Sequence, residues 1–232
     1  VRALLEGYDV KPPVTVFPTG IPLGRFAAPV SDAVLDGLRR RLGIPAENRI
    51  LVYVGRLAKE KNLEELLECR AALGRAPVTL LLVGDGPARP ALEERAAALG
   101  LAAPAAVFAG RAAREKVPLY SRLGDVFVSA SSSETQGLTY LEALAAGTPA
   151  VCRADPCLNG VIENGVNGWQ YETGRERDEE LNRLLTDELL RKRLARGAAA
   201  GAAAFSEEAF GEKVLALYEA RRAAKARRGG AV

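Results

Sequence analysis

The sequence predicts an α/β fold with a Rossmann-like, doubly wound parallel sheet, and three observations carry that prediction. Short apolar runs alternate with helix-length segments along most of the 232 residues. The runs are unbroken, as in ILVYV and VTLLLV, rather than alternating apolar with polar, which is the pattern of strands buried on both faces. Each run ends in glycine or small hydroxyl residues, where such a sheet turns into its helices.

Taken in order, Val14–Phe17 reads as a short strand entering the turn Pro18-Thr19-Gly20, and Ser31–Leu42 as an amphipathic helix capped by Ser31. Strands follow at Arg49–Val54, Val78–Val83, Ala106–Ala109, Val126–Ser129, Pro149–Arg153 and Gly168–Tyr171. Helices fill the intervals at Asn62–Leu73, Arg89–Leu99, Glu115–Leu123 and Leu138–Ala146. From about Asp178 the pattern is helical, with a break expected near Gly197–Phe205. Four loops, at Gly55-Arg56, Gly84-Asp85-Gly86, Gly110-Arg111 and Ser131–Gly137, fall at the carboxyl ends of strands and so converge on the edge where such folds bind ligands.

Composition narrows the functional classes. A net charge of +3 does not indicate wholesale nucleic-acid binding. No apolar run approaches the ~18 residues of a membrane span, and no signal peptide opens the sequence, so a cytoplasmic location is expected. Cys69, Cys152 and Cys157 are scattered and odd in number, which reads as reduced thiols. With no histidine in the chain, Ser-His and Cys-His mechanisms are excluded within it, and Cys152 with Cys157 lacks the partners of a zinc site; no metal is expected. The absence of methionine suggests a piece of a longer protein.

The most informative stretch is SETQGLTYLEALAAGTP, residues 133–149, which sets Glu134 and Glu142 on either side of a helix start at Gly137. The N–H groups and partial positive charge of a helix N-terminus attract phosphate, and Gly137 lets backbone approach a ligand closely. Carboxylates repel phosphate, so two of them here point to hydroxyl groups as well. A nucleotide sugar offers both. Side chains lean toward the helix N-terminus, which aims Glu142 back at the same ligand. Arg56 and Lys61, in the loop after ILVYV, are close enough to face one anion and to balance a diphosphate leaving group. Gly84-Asp85-Gly86 lacks the third glycine of a dinucleotide fingerprint, because position 89 is Arg89; it reads as a tight turn lining a pocket near a base. The turn-rich DPCLNG and NGVNG blocks are as well explained by connection as by binding, and the basic run at 221–228 by a solvated helix end or by contact with anionic lipid.

Together PVTVFPTGIPLGRF, YVGRLAKEKNL, LLLVGDGP, VFAGR, the E-x7-E block and NGVNGW resemble, in this order and over nearly the whole chain, the C-terminal half of a retaining GT-B glycosyltransferase of group 1. The E-x7-E block followed by DPCLNGVIENGVNG is similar to bacterial diacylglycerol glucosyltransferases, which move glucose from UDP-glucose to a membrane lipid.

The resemblance implies a hexosyltransferase that is retaining and metal-independent, with no cofactor beyond its UDP-sugar donor, UDP-glucose foremost. Arg56 and Lys61 would hold the diphosphate, Glu134 the donor sugar, and these three would carry catalysis. Gly137, Leu138 and Thr139 would bind phosphate oxygens, Glu142 the ribose, and Arg111 with Gly86 would border the uracil. Residues 1–13 would be a remnant of an N-terminal domain and linker, 14–205 the nucleotide-sugar-binding domain, and 206–232 a helix returning to the missing N-terminal domain. The chain alone is then inactive. Its partners would be the donor, the missing domain and a lipid acceptor at the inner face of the plasma membrane, with no nucleic acid. The alternatives are a GDP-mannose-dependent enzyme, a soluble acceptor, or a nucleotide-binding module that does not catalyse.

Overall fold

The computed structural model describes residues 5, 7, 8, 14–132, 134 and 136–229, with the side chains of 226–229 excepted. Ser133, Thr135 and most of the expected remnant 1–13 lie outside the described residues, as do the side chains that end the basic run at 221–228. The chain divides into two compact units, Pro22–Ala203, and Val1–Ile21 together with Ala204–Val232.

The larger unit opens with helices α1 (Leu23–Ala27) and α2 (Asp32–Arg41), then runs β1 (Arg49–Val54), α3 (Leu63–Ala72), β2 (Val78–Val83), α4 (Arg89–Ala98), β3 (Ala106–Gly110), α5 (Val117–Leu123), β4 (Val126–Ser129), α6 (Leu138–Ala145), β5 (Ala150–Arg153), β6 (Gly168–Tyr171), α7 (Gly174–Thr186) and α8 (Glu188–Ala202). The strands pair in parallel in the order β3-β2-β1-β4-β5-β6. The doubly wound sheet expected from the unbroken apolar runs is therefore present. Its order reverses between β1 and β4, which puts the topological switch point between the loops that carry Lys61 and Glu134.

Leu51, Tyr53, Leu80, Leu82, Val126 and Val128 belong to one buried cluster with Leu63, Leu66 and Leu67 of α3 and Leu92 of α4. Phe127, one position out of step with Val126 and Val128, meets Tyr140 of α6 edge to face, with ring centroids 5.2 Å apart. The sheet is thus covered on both faces, which is why its strands read as continuous hydrophobic runs.

One expectation is corrected. Residues 14–20 form no strand, and Val16 is exposed; Pro18 supplies no N–H for a ladder. Among the described residues of the smaller unit, Ile21 forms an isolated bridge to Ser206, with its N–H donating to the Phe205 carbonyl at 2.9 Å. Ser206 in turn caps the last helix, α9 (Glu207–Gly229), by accepting from the Ala209 N–H. The break expected near Gly197–Phe205 is present, since α8 ends at Ala202, a short 3-10 turn spans Ala203–Phe205 and the next helix opens at Glu207, although Gly197 and Gly201 themselves lie inside α8. A further break falls at Asp187, whose carboxylate accepts from the Leu190 N–H. A Cβ on Gly197 would come within 2.1 Å of the Val166 carbonyl oxygen, so this glycine is set by packing and not by a turn. α7 begins at Gly174, earlier than expected, under a capping box between Thr173 and Glu176.

Candidate functional site

The ends of β1, β2 and β3 form a fixed floor. Past the strands the Gly55 N–H donates to the Val83 carbonyl at 3.0 Å, and the Gly84 N–H to the Gly110 carbonyl at 2.9 Å. The Leu57 N–H donates to the Asp85 carbonyl at 3.0 Å, and the Ala88 N–H to the Leu57 carbonyl at 3.0 Å. These bonds continue the ladder into the loops, so Arg56, Gly86 and Arg111 project from held backbone. Above them opens a cleft of about 740 Å³, lined by Arg56, Gly84, Gly86, Arg111 and Val117 among others. A Cβ on Gly86 would sit 2.4 Å from the Leu57 carbonyl oxygen, so close loop packing requires the glycine.

A second cavity of about 330 Å³ lies across the switch point and is lined by Tyr53, Lys61, Glu134 and the start of α6. Val54, Gly55 and Arg56 line both, so the cavities meet at Arg56. Gly137 caps α6 in the left-handed region, at φ 66° and ψ 48°, which favours glycine. Among the described residues no side chain caps this helix, and the N–H groups of Leu138 and Thr139 have no hydrogen-bond acceptor. Gly137, Leu138 and Thr139 line the cavity, so the positive end of the helix dipole lies at its wall.

The cations are not idle. Lys61 Nζ lies 2.6 Å from Glu134 Oε1, and Arg56 pairs with Glu60. The Tyr53 hydroxyl donates to the Arg56 carbonyl at 3.1 Å, which ties the end of β1 to the loop that follows. Burial, with the nearby Glu134 and Glu60 charges adding to it, pushes the Tyr53 hydroxyl well above its usual value, so it remains a donor. Glu142 is half-buried, and burial raises its carboxyl above the usual range while the charges of Arg114 and Arg25 pull the other way.

Of the residues singled out in the sequence, Arg56, Gly86 and Arg111 line the larger cavity, and Arg56, Lys61, Glu134, Gly137, Leu138 and Thr139 the smaller. Glu142 lines neither; it faces Arg114 and Arg25 electrostatically. Tyr53 and Ser129 were missed. The one signal for Tyr53 was a lone hydroxyl in an otherwise aliphatic strand. In the DPCLNG and NGVNG blocks the Asp155 carboxylate accepts from the Cys157 N–H, and Asn167 accepts from the Glu163 N–H and donates to the Val161 carbonyl. The three cysteines form no disulfide.

The model of the family "Glycosyl transferases group 1" matches residues 36–200. Alpha-monoglucosyldiacylglycerol synthase of Streptococcus pneumoniae is 40% identical over 174 residues, 74% of this chain and 39% of that protein. D-inositol 3-phosphate glycosyltransferase of Corynebacterium jeikeium is 33% identical over 94% of this chain and 55% of its own length. The chain thus spans about half the length, or less, of the curated relatives it matches. Among solved structures, sucrose-phosphate synthase of Thermosynechococcus elongatus superposes with a TM-score of 0.80 at 28% identity, over 96% of this chain and 56% of that one. Anabaena Alr3699/HepE in complex with UDP gives 0.78 at 24% identity over 87% of this chain and 56% of that one, a likeness of fold.

Proposed function

This chain belongs to the glycosyl transferases group 1 family, and on that premise we propose that it is the donor-binding half of a retaining hexosyltransferase that uses a UDP-sugar, UDP-glucose foremost. The observation that carries the reading is the pair of cavities meeting at Arg56, with the uncapped start of α6 opening into the smaller one. The larger cavity, bordered by Gly86 and Arg111, suits the uracil. Arg56, Lys61 and the N–H groups of Leu138 and Thr139 suit the diphosphate. Glu134 suits the donor sugar hydroxyls; the ribose role of Glu142 rests on the family resemblance, since it lines neither cavity.

Chemically, departure of the nucleoside diphosphate leaves negative charge on its terminal phosphate. Two cations and a helix N-terminus aimed at that charge stabilise the transition state more than the ground state, in the role a metal ion fills elsewhere. The acceptor half lies in the N-terminal domain of the whole protein, toward which residues 206–232 would return, so this chain binds donor and does not transfer sugar alone.

A membrane glycerolipid is the acceptor favoured by the Streptococcus pneumoniae relative, and it would place the enzyme peripherally at the inner face of the membrane. A soluble acceptor is the second reading, favoured by the inositol phosphate enzymes, which align with more of the chain. Among the described residues no helix is long and apolar enough to cross a membrane.

Calorimetric titration of the chain with UDP, UDP-glucose and GDP-mannose tests the donor site. Saturable binding of the uridine ligands, lost in Lys61→Ala/Glu142→Ala, supports it. Preference for GDP-mannose moves the donor assignment, and binding of none of the three overturns the reading. Activity of the full-length enzyme on lipid against soluble acceptors separates the two acceptors.

A further inference from the structure

The Lys61–Glu134 ion pair spans the switch point. Its partners stand 73 residues apart in sequence, and their side chains are only 19% and 14% exposed. It lies within the smaller cavity, beside the uncapped start of α6. Without ligand, therefore, the ammonium assigned to the diphosphate and the carboxylate assigned to the sugar neutralise each other. We infer that this pair acts as a latch that makes the site prefer a nucleoside diphosphate carrying a sugar over the bare nucleoside diphosphate.

The inference rests on the donor-site reading above and adds a selectivity to it. A half-buried charge that loses its partner pays for its desolvation without compensation. Bare nucleoside diphosphate draws Lys61 toward the phosphates and leaves the Glu134 carboxylate unpaired beside added negative charge. A donor sugar brings hydroxyl donors to that carboxylate and replaces the ammonium it lost. Among the described residues lining the same cavity, the Tyr53 hydroxyl is engaged with the Arg56 carbonyl and the Ser129 hydroxyl with the Tyr140 hydroxyl. Arg56, whose side chain is 66% exposed and paired with Glu60, stands in water. The latch thus opens at lower cost for substrate than for the spent nucleotide.

The test compares UDP with UDP-glucose on the 232-residue chain and on Glu134→Gln, by calorimetry, with thermal unfolding recorded for each. The native chain binds UDP-glucose more tightly than UDP. Glu134→Gln frees Lys61, so UDP binding tightens by roughly three- to tenfold while UDP-glucose binding weakens. The two effects have opposite sign, which a general loss of structure does not produce; Glu134→Ala replaces the glutamine variant if that one does not fold. In Lys61→Gln/Glu134→Gln the gain for UDP disappears. UDP binding left unchanged or weakened by Glu134→Gln, with UDP-glucose weakened, overturns the latch and leaves the donor site standing. No saturable binding of either ligand by the native chain overturns both.

Discussion

A Cβ built on Gly84 would lie 1.8 Å from the Gly55 carbonyl oxygen, because the ends of β1 and β2 touch backbone to backbone beneath the larger cavity. Gly84 also holds φ 143°, a region that side chains rarely enter. Gly84→Ala therefore meets both a clash with backbone, which cannot rotate away, and a strained conformation. The expected cost is about 3 kcal/mol or more, read as an early denaturant midpoint with an unchanged slope. Nucleotide binding weakens in the molecules that remain folded, since the loop bearing Arg56 shifts.

Glu65, near the start of α3, gathers four donors. Its Oε1 accepts from the Tyr171 hydroxyl at 2.9 Å and Arg177 at 3.0 Å, and its Oε2 from Asn62 at 2.7 Å and from Arg153. Burial alone raises its carboxyl, but the hydrogen bonds from Arg153 and Tyr171 and the charges of Arg153 and Arg177 outweigh burial and hold it below the usual carboxylate range. A carboxyl depressed in the folded state contributes stability above its unfolded value of about 4.3, and this is lost as pH falls through the folded value. Glu65→Gln should cost roughly 1–3 kcal/mol at pH 7, because it removes the carboxylate paired with Arg153 and one of the two paired with Arg177, which is 10% exposed and keeps Asp178. The variant should also flatten the acid limb of stability against pH.

Glu142 has the opposite sign. Its carboxyl is raised by burial, so the ionised form costs stability above the unfolded value, and the cost grows as pH rises through the folded value. Glu142→Gln is expected to stabilise the ligand-free chain at pH 7.5 by roughly a few tenths of a kcal/mol, a small figure because water still screens the group. The same variant should weaken UDP binding. Thermal unfolding and calorimetry on one preparation check both directions, and a lower unfolding temperature would remove the case for a destabilising carboxylate kept for binding.

Gly197→Ala separates helix propensity from packing. In an exposed helix the change gains up to about 1 kcal/mol. Here the new methyl meets the Val166 carbonyl oxygen at 2.1 Å, so a net loss of about 2 kcal/mol is expected. Gly211 of α9, with nothing near its Cβ position, provides the control: Gly211→Ala should be neutral or stabilising by the same unfolding assay.

The central strands of the sheet were legible because burial on both faces demands unbroken apolar runs, and β1, β2 and β4 lie on those runs; β6, the edge strand GWQY, was placed by its position after the glycine- and asparagine-rich loop. The loops that carry Arg56, Gly86, Arg111 and Glu134 were legible for the same reason: they follow those strands, and a parallel sheet collects its carboxyl ends on one edge. Helix bounds among glycines were not. Gly197 reads as a breaker until the Val166 carbonyl occupies the place of its side chain, and Val14–Phe17 reads as a strand although residues 14–20 form none.

The long-range pairings of charge were decided by the tertiary structure alone. Nothing local joins Lys61 to Glu134, or Glu65 to Arg153 and Arg177, because these partners stand 73, 88 and 112 residues apart and meet only once the sheet is ordered. Local sequence sets which segments hide from water. Which charges then neutralise each other depends on the distances that packing imposes, since Coulomb energy follows separation in space and not along the chain.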